Sequence, residues 1–182
     1  MLTNPGFESG LSGWTGFGNQ FAESVTPRSG TGVAKMFGNF SGGFNVSGLF
    51  QTFPAAPGQN WSFDAYFRHN TGDLMTGNSI PDGGSGNWVI AKMEFRNASD
   101  VVTGFVESAP FDGTDTPDAW FSRSVSLTAP ANTASVWAFL LYLQPQFDGG
   151  AVLIDDTSLV PAPGAAGVIG AGVLAFARRR RR

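Results

Sequence analysis

Residues 61–69 read "WSFDAYFRH", and their alternation decides the fold class. Trp61, Phe63, Ala65 and Phe67 fall on one side of an extended chain, while Ser62, Asp64, Tyr66 and Arg68 fall on the other. Successive strand side chains point to opposite faces, so a period of two with one apolar face marks a strand laid on a core. Residues 88–95, "WVIAKMEF", repeat the pattern: Val89, Ala91, Met93 and Phe95 alternate with Trp88, Ile90, Lys92 and Glu94. In residues 135–145, "SVWAFLLYLQP", both faces are apolar, which predicts a central strand.

Working outward, no helical period emerges between Leu2 and Val160. Short apolar runs are separated by turn chemistry such as "TPRSGTG", "APGQN", "NTGD", "PDGGSGN", "NASD" and "DGTDTPD". Strands are expected near 20–25, 33–38, 47–53, 60–69, 87–96, 101–107, 120–128, 134–143 and 151–160. About nine antiparallel strands at this spacing predict an all-β sandwich. The 182 residues suffice for one domain with a proper core, and 17 Phe and 5 Trp supply its bulk. There is no cysteine, which removes disulfides and thiolate chemistry. Without the five terminal arginines, six basic residues face fourteen acidic ones. Such a body repels phosphate backbones, so nucleic acid is excluded as a partner.

The opening "LTNPGFESGLSGW" and the closing "VLIDDTSLV" resemble the ends of carbohydrate-binding-module jelly rolls, within the broader galactose-binding-like sandwiches. "RSGTGVAKM" and "LFQTFPAAPGQNWSFDAYFR" match internal strands of the same pattern, which covers nearly all of residues 2–160. The resemblance implies a jelly-roll β-sandwich whose first and last strands lie side by side, often tied by a structural calcium ion. It places Glu8 and Asp155 at that metal position, with carbonyls of the turn at 29–31 completing the oxygen set calcium requires. Asp156 is expected to alternate away. The alternative is that Glu8 accepts backbone N–H groups or pairs with Lys35.

Sugar binding asks for an aromatic surface flanked by groups that hydrogen-bond hydroxyls. The polar faces of the two alternating strands offer Tyr66, Arg68, Trp88, Lys92 and Glu94, with Gln51 as a neighbour. Trp88 leads because Lys92 and Glu94 share its strand face; Trp14, Phe17 and Trp120 are further loop candidates, and Trp14 and Trp61 also read as structural plugs. Catalysis would need two carboxylates on one face, for which Glu94 and Asp64 are candidates if their strands pair. His69 is the only histidine, which leaves no basis for a His-rich zinc site. Asp112, Asp115 and Asp118 recur at intervals of three, not the two of an EF-hand, and read as an acidic loop.

The chain closes on "VPAPGAAGVIGAGVLAFARRRRR". A helix of about 14 residues from Gly164 would span about 21 Å, short for a bilayer unless arginine stems lengthen it. Pro161, Ala162 and Pro163, the apolar stretch and Arg178, Arg179, Arg180, Arg181 and Arg182 resemble the PEP-CTERM sorting signal, with alanine where that family has glutamate. The alternative is a basic tail or a loose helix on the body. The resemblance divides the chain into a domain at 1–160 and a sorting segment at 161–182. It implies transient membrane insertion, processing by an exosortase-type enzyme, and residence at the envelope, outer surface or extracellular matrix of a Gram-negative-type bacterium, with an export signal upstream of Met1. The expected function is non-catalytic glycan binding, with a polysaccharide or exopolysaccharide matrix as partner. A structural or adhesion component without a small ligand is the alternative, and a glycoside-active enzyme comes third.

Overall fold

In the computed structural model residues 1–162 are described; the expected C-terminal helix, Pro163 and the arginine run lie outside them. The described chain is all-β, with eleven strands: β1 (Thr15–Phe17), β2 (Asn19–Glu23), β3 (Val33–Phe37), β4 (Asn45–Pro54), β5 (Asn60–Arg68), β6 (Trp88–Arg96), β7 (Val102–Glu107), β8 (Phe111–Asp112), β9 (Phe121–Thr128), β10 (Ser135–Gln144) and β11 (Val152–Ala162). The nine expected strands are present. The two additions, β1 and β8, are three and two residues long, too short to establish a period. β11 runs two residues past the expected boundary, pairing Pro161 with Trp61 and Ala162 with Asn60.

The strands form two antiparallel sheets. One has the order β1-β4-β10-β6-β7, with β8 also paired to β6; the other has the order β2-β3-β11-β5-β9. Consecutive strands cross repeatedly between the sheets; the first strand, β1, pairs β4 in one sheet and β11, the last strand of the described chain, pairs β3 and β5 in the other, so the expected side-by-side placement of first and last strands is corrected here. This is the jelly-roll β-sandwich.

The core fills the space between the sheets. Trp61, Phe63, Ala65 and Phe67 of β5 face Val89, Ala91, Met93 and Phe95 of β6, as their alternation requires, and Val136, Ala138, Leu140 and Tyr142 project inward from β10. β10 is a central strand, paired over its length with β4 and over nine residues with β6. Burying large apolar side chains contributes about 1.5–3 kcal/mol each, so this double layer supplies the main stabilisation. Phe7 and Trp14 plug one end, stacked at 5.4 Å, and Trp14 Nε1 donates to the Asn4 carbonyl. Trp14 and Trp61 are therefore structural.

Candidate functional site

Because β10 is apolar on both sides, the first sheet also carries an apolar outer face. Register sets its rows. Trp137 of β10 lies opposite Glu94, which lies opposite Phe105 of β7; Phe50 of β4 lies opposite Phe139, which lies opposite Lys92, which lies opposite Glu107. Leu141 lies between Gly48 and Ile90, and Phe17 of β1 pairs with Gly48. A side chain at Gly48 would meet the Phe17 ring and Leu141, so the glycine is what lets Phe17 lie over β4. Phe17, Val46, Phe139 and Leu141 thus form the floor of an open groove of about 320 Å³, and Lys92 and Glu94 form its polar wall. That volume is at the lower end of small-molecule sites.

The rings beside the floor are organised in a stack. Phe50 and Trp137 lie 5.1 Å apart at 17°, Trp137 and Phe139 5.8 Å apart at 19°. The Arg96 guanidinium covers the Trp137 ring at 4.0 Å. Faces engaged in this way leave Phe17, 39% exposed, as the floor's most open ring. The polar wall is cross-braced. Lys92 Nζ lies 3.5 Å from Glu94 and 3.3 Å from Glu107; Arg96 Nε donates to Glu94 at 2.7 Å and its Nη1 to Asp100 at 3.1 Å. Burial pulls the Arg96 pKa down, but its hydrogen bonds to Glu94 and Asp100 outweigh that and hold it above the ordinary value.

The residues singled out in the sequence divide among three places. Lys92 and Glu94 line the groove. Trp88 shares their face but is buried, only 6% exposed beneath the Phe44 ring at 6.1 Å, so it presents no platform. Tyr66 and Arg68 occupy the outer face of the other sheet, remote from the groove: Arg28 lies over Tyr66 at 3.5 Å, and Arg68 pairs with Asp118 at 3.2 Å. Gln51 points inward, where it accepts from Thr3 N–H at 2.9 Å and donates to Thr3 C=O at 2.8 Å; it pins the N-terminal segment. The expectation that Glu94 and Asp64 share a face is corrected here, since β5 and β6 belong to different sheets and the two carboxylates point to opposite sides of the sandwich. Phe17, expected on a loop, lies on β1 and lines the groove. Trp137 and Phe139 were not singled out, although "SVWAFLLYLQP" carried the signal: a strand apolar on both faces must cover something outside as well as inside.

Where the N-terminal segment meets β11, Glu8 accepts from Thr31 N–H at 2.9 Å, Thr31 Oγ1 at 2.9 Å and Gly32 N–H at 3.3 Å. Those Thr31 and Gly32 bonds hold its carboxyl below the usual range. Asp155 accepts from Arg28 N–H at 2.8 Å, Ser29 N–H at 3.1 Å and Asp156 N–H at 2.7 Å, while burial pushes its carboxyl up. A bulge interrupts β11 between Asp155 and Ser158, and Asp156 takes a φ of 45°. The expected alternation fails there. Asp155 Oδ1 and Asp156 Oδ1 both lie 3.7 Å, and Glu8 Oε1 3.9 Å, from the point where a Gly6 Cβ would sit. Hard carboxylate oxygens suit calcium in kind. Among the described residues, however, no group of three or more His, Cys, Asp or Glu side chains is arranged to hold a metal ion. As it stands, the set is a hydrogen-bonded staple. Lys35 pairs with Asp73 at 2.8 Å, not with Glu8.

No protein-family model matches the chain, and no curated protein matches it in sequence. Solved structures do match. A family 16 carbohydrate-binding module superposes with a TM-score of 0.55 at 18% identity, over 87% of this chain and 98% of its own. A CBM61 module in complex with β-1,4-galactotriose gives 0.55 at 15%, over 88% and 97%. A xylan-binding domain from CBM22 gives 0.57 at 15%, over 87% and 92%. The fold is that of the carbohydrate-binding jelly rolls. The described body shares this fold over 92–98% of the length of each of these three neighbours.

Proposed function

We propose that the outer face of the first sheet binds glycan chains without cleaving them. The observation that carries this reading is the groove in which an aromatic floor, with Phe17 its open ring and Phe139 beside it, meets the polar wall of Lys92 and Glu94. Sugar C–H faces pack on rings while wall groups take up hydroxyls. The neighbours support it: one holds a galactotriose and another is named for xylan. Affinity electrophoresis through soluble β-1,4-galactan and xylan tests it. Retardation is expected in the wild type and in Tyr66→Ala, on the other sheet, and is expected to be lost in Phe17→Ala with Phe139→Ala. No retardation in any neutral polysaccharide would retire the groove and favour a structural matrix component.

The same module is exported and sorted to a bacterial surface in this reading, through Pro161–Pro163, the apolar stretch and the terminal arginines. Surface labelling of cells that carry an exosortase, with and without residues 161–182, is the check; equal labelling of both would remove the sorting role. Calcium at Glu8 and Asp155 is a separate part of the proposal, supported by the donor chemistry at the staple. A chelator is expected to lower Tm in the wild type but not in Asp155→Ala. An unmoved Tm retires the cation and leaves the hydrogen bonds.

A further inference from the structure

The sign of charge along the groove wall bears on which glycans can enter. Resting on the reading of this face as a glycan site, we infer that its ligand is an uncharged glycan and that the groove rejects uronate-bearing polysaccharides. Lys92, the cation beside the floor, is held between two carboxylates, Glu94 at 3.5 Å and Glu107 at 3.3 Å, and its ammonium also lies 4.6 Å from the centre of the Phe105 ring. Arg96 is likewise bound by two carboxylates, Glu94 at 2.7 Å and Asp100 at 3.1 Å, with its flat face on Trp137. Two cations therefore face three anions. An incoming carboxylate would have to displace a carboxylate already in place, or sit beside one unpaired; like charges at such separations repel. A hydroxyl meets no such conflict, because it can donate to a carboxylate that keeps its cation. The remaining body reinforces the exclusion, with fourteen acidic against six basic residues outside the arginine run.

The test measures dissociation constants of the full chain for neutral β-1,4-galactan and xylan and for anionic polygalacturonate and alginate, at about 0.05 and about 0.5 M salt. Wild type is expected to bind a neutral polymer with little salt dependence and the uronates at least about tenfold more weakly. Glu94→Gln with Glu107→Gln, which releases Lys92, is expected to gain salt-sensitive uronate binding of about tenfold. Asp100→Asn, at an exposed loop position, releases one partner of Arg96 and is expected to gain in the same direction even if the double variant folds poorly. Wild-type binding of uronates as tight as of neutral polymer, lost at high salt and in Phe17→Ala, overturns the charge inference while leaving the groove. Absence of binding to any polymer overturns both.

Discussion

At Gly48 a methyl group would lie 2.7 Å from Phe17 Cε1 and 2.9 Å from Leu141 Cδ2. The smallest possible change there should therefore push Phe17 off the floor. Gly48→Ala is expected to weaken polysaccharide retardation at least as much as it lowers Tm, because the displaced ring can move into solvent at its exposed edge; calorimetry beside affinity electrophoresis separates the two. Unchanged retardation would remove Phe17 from the site. This scale is also where the sequence was least legible. Lys92 and Glu94 could be placed on the outer face by counting in twos, yet counting could not reveal that Phe44 caps Trp88 or that Gln51 turns inward to Thr3. Those outcomes depend on which loops arrive overhead. Asp156 escaped for another reason: a bulge changes the count itself.

At the scale of elements, the loop that reads "DGTDTPD" is acidic because each carboxylate fastens something. Asp112 is 2% exposed and accepts from Ser79 N–H at 2.7 Å and from Thr114 N–H at 2.8 Å, tying the β8 turn to the long β5–β6 connection. Asp115 pairs with Arg123 at 2.8 Å, and Asp118 accepts from Thr71. The carbonyl of Asp115 also meets His69 Nε2 at 2.8 Å, so the one histidine is a buried packing residue of this loop. Burial pushes the Asp112 carboxyl up, but its bonds from Thr114 and Ser79 prevail and leave it below the ordinary value of 3.8. A carboxyl depressed in the folded state contributes stability above its unfolded pKa and loses that contribution as pH falls through the folded one. Wild type is therefore expected to lose more stability than Asp112→Asn below about pH 4, as followed by acid unfolding. Asp112→Ala is expected to cost about 1–3 kcal/mol at neutral pH, since it strands buried N–H groups. A neutral-pH change under a few tenths of a kcal/mol would show that the loop does not depend on it.

At the scale of the molecule, β11 is the central strand of the second sheet, between β3 and β5, although it ends the described chain. Thr157 N–H bonds the Pro5 carbonyl at 2.9 Å, so the last strand also holds the first segment. A chain ending at residue 151 should lose cooperative thermal unfolding altogether, with near-ultraviolet circular dichroism as the readout; a retained cooperative transition would mean the sandwich closes without it. The layer structure is written along the chain: period-two alternation in β5 and β6, and a doubly apolar β10, can only be satisfied by strands with a buried side, and their number and turns exclude a helical body. Alternation acts between neighbouring residues, so it is readable along the chain. Which outer faces share a surface follows from the folded arrangement alone. Glu94 and Asp64 stand on opposite sides of the sandwich, whereas Phe17, Gly48, Phe139 and Lys92 meet in one groove from four strands. That choice depends on strand order and register, which are set by pairings between residues tens of positions apart.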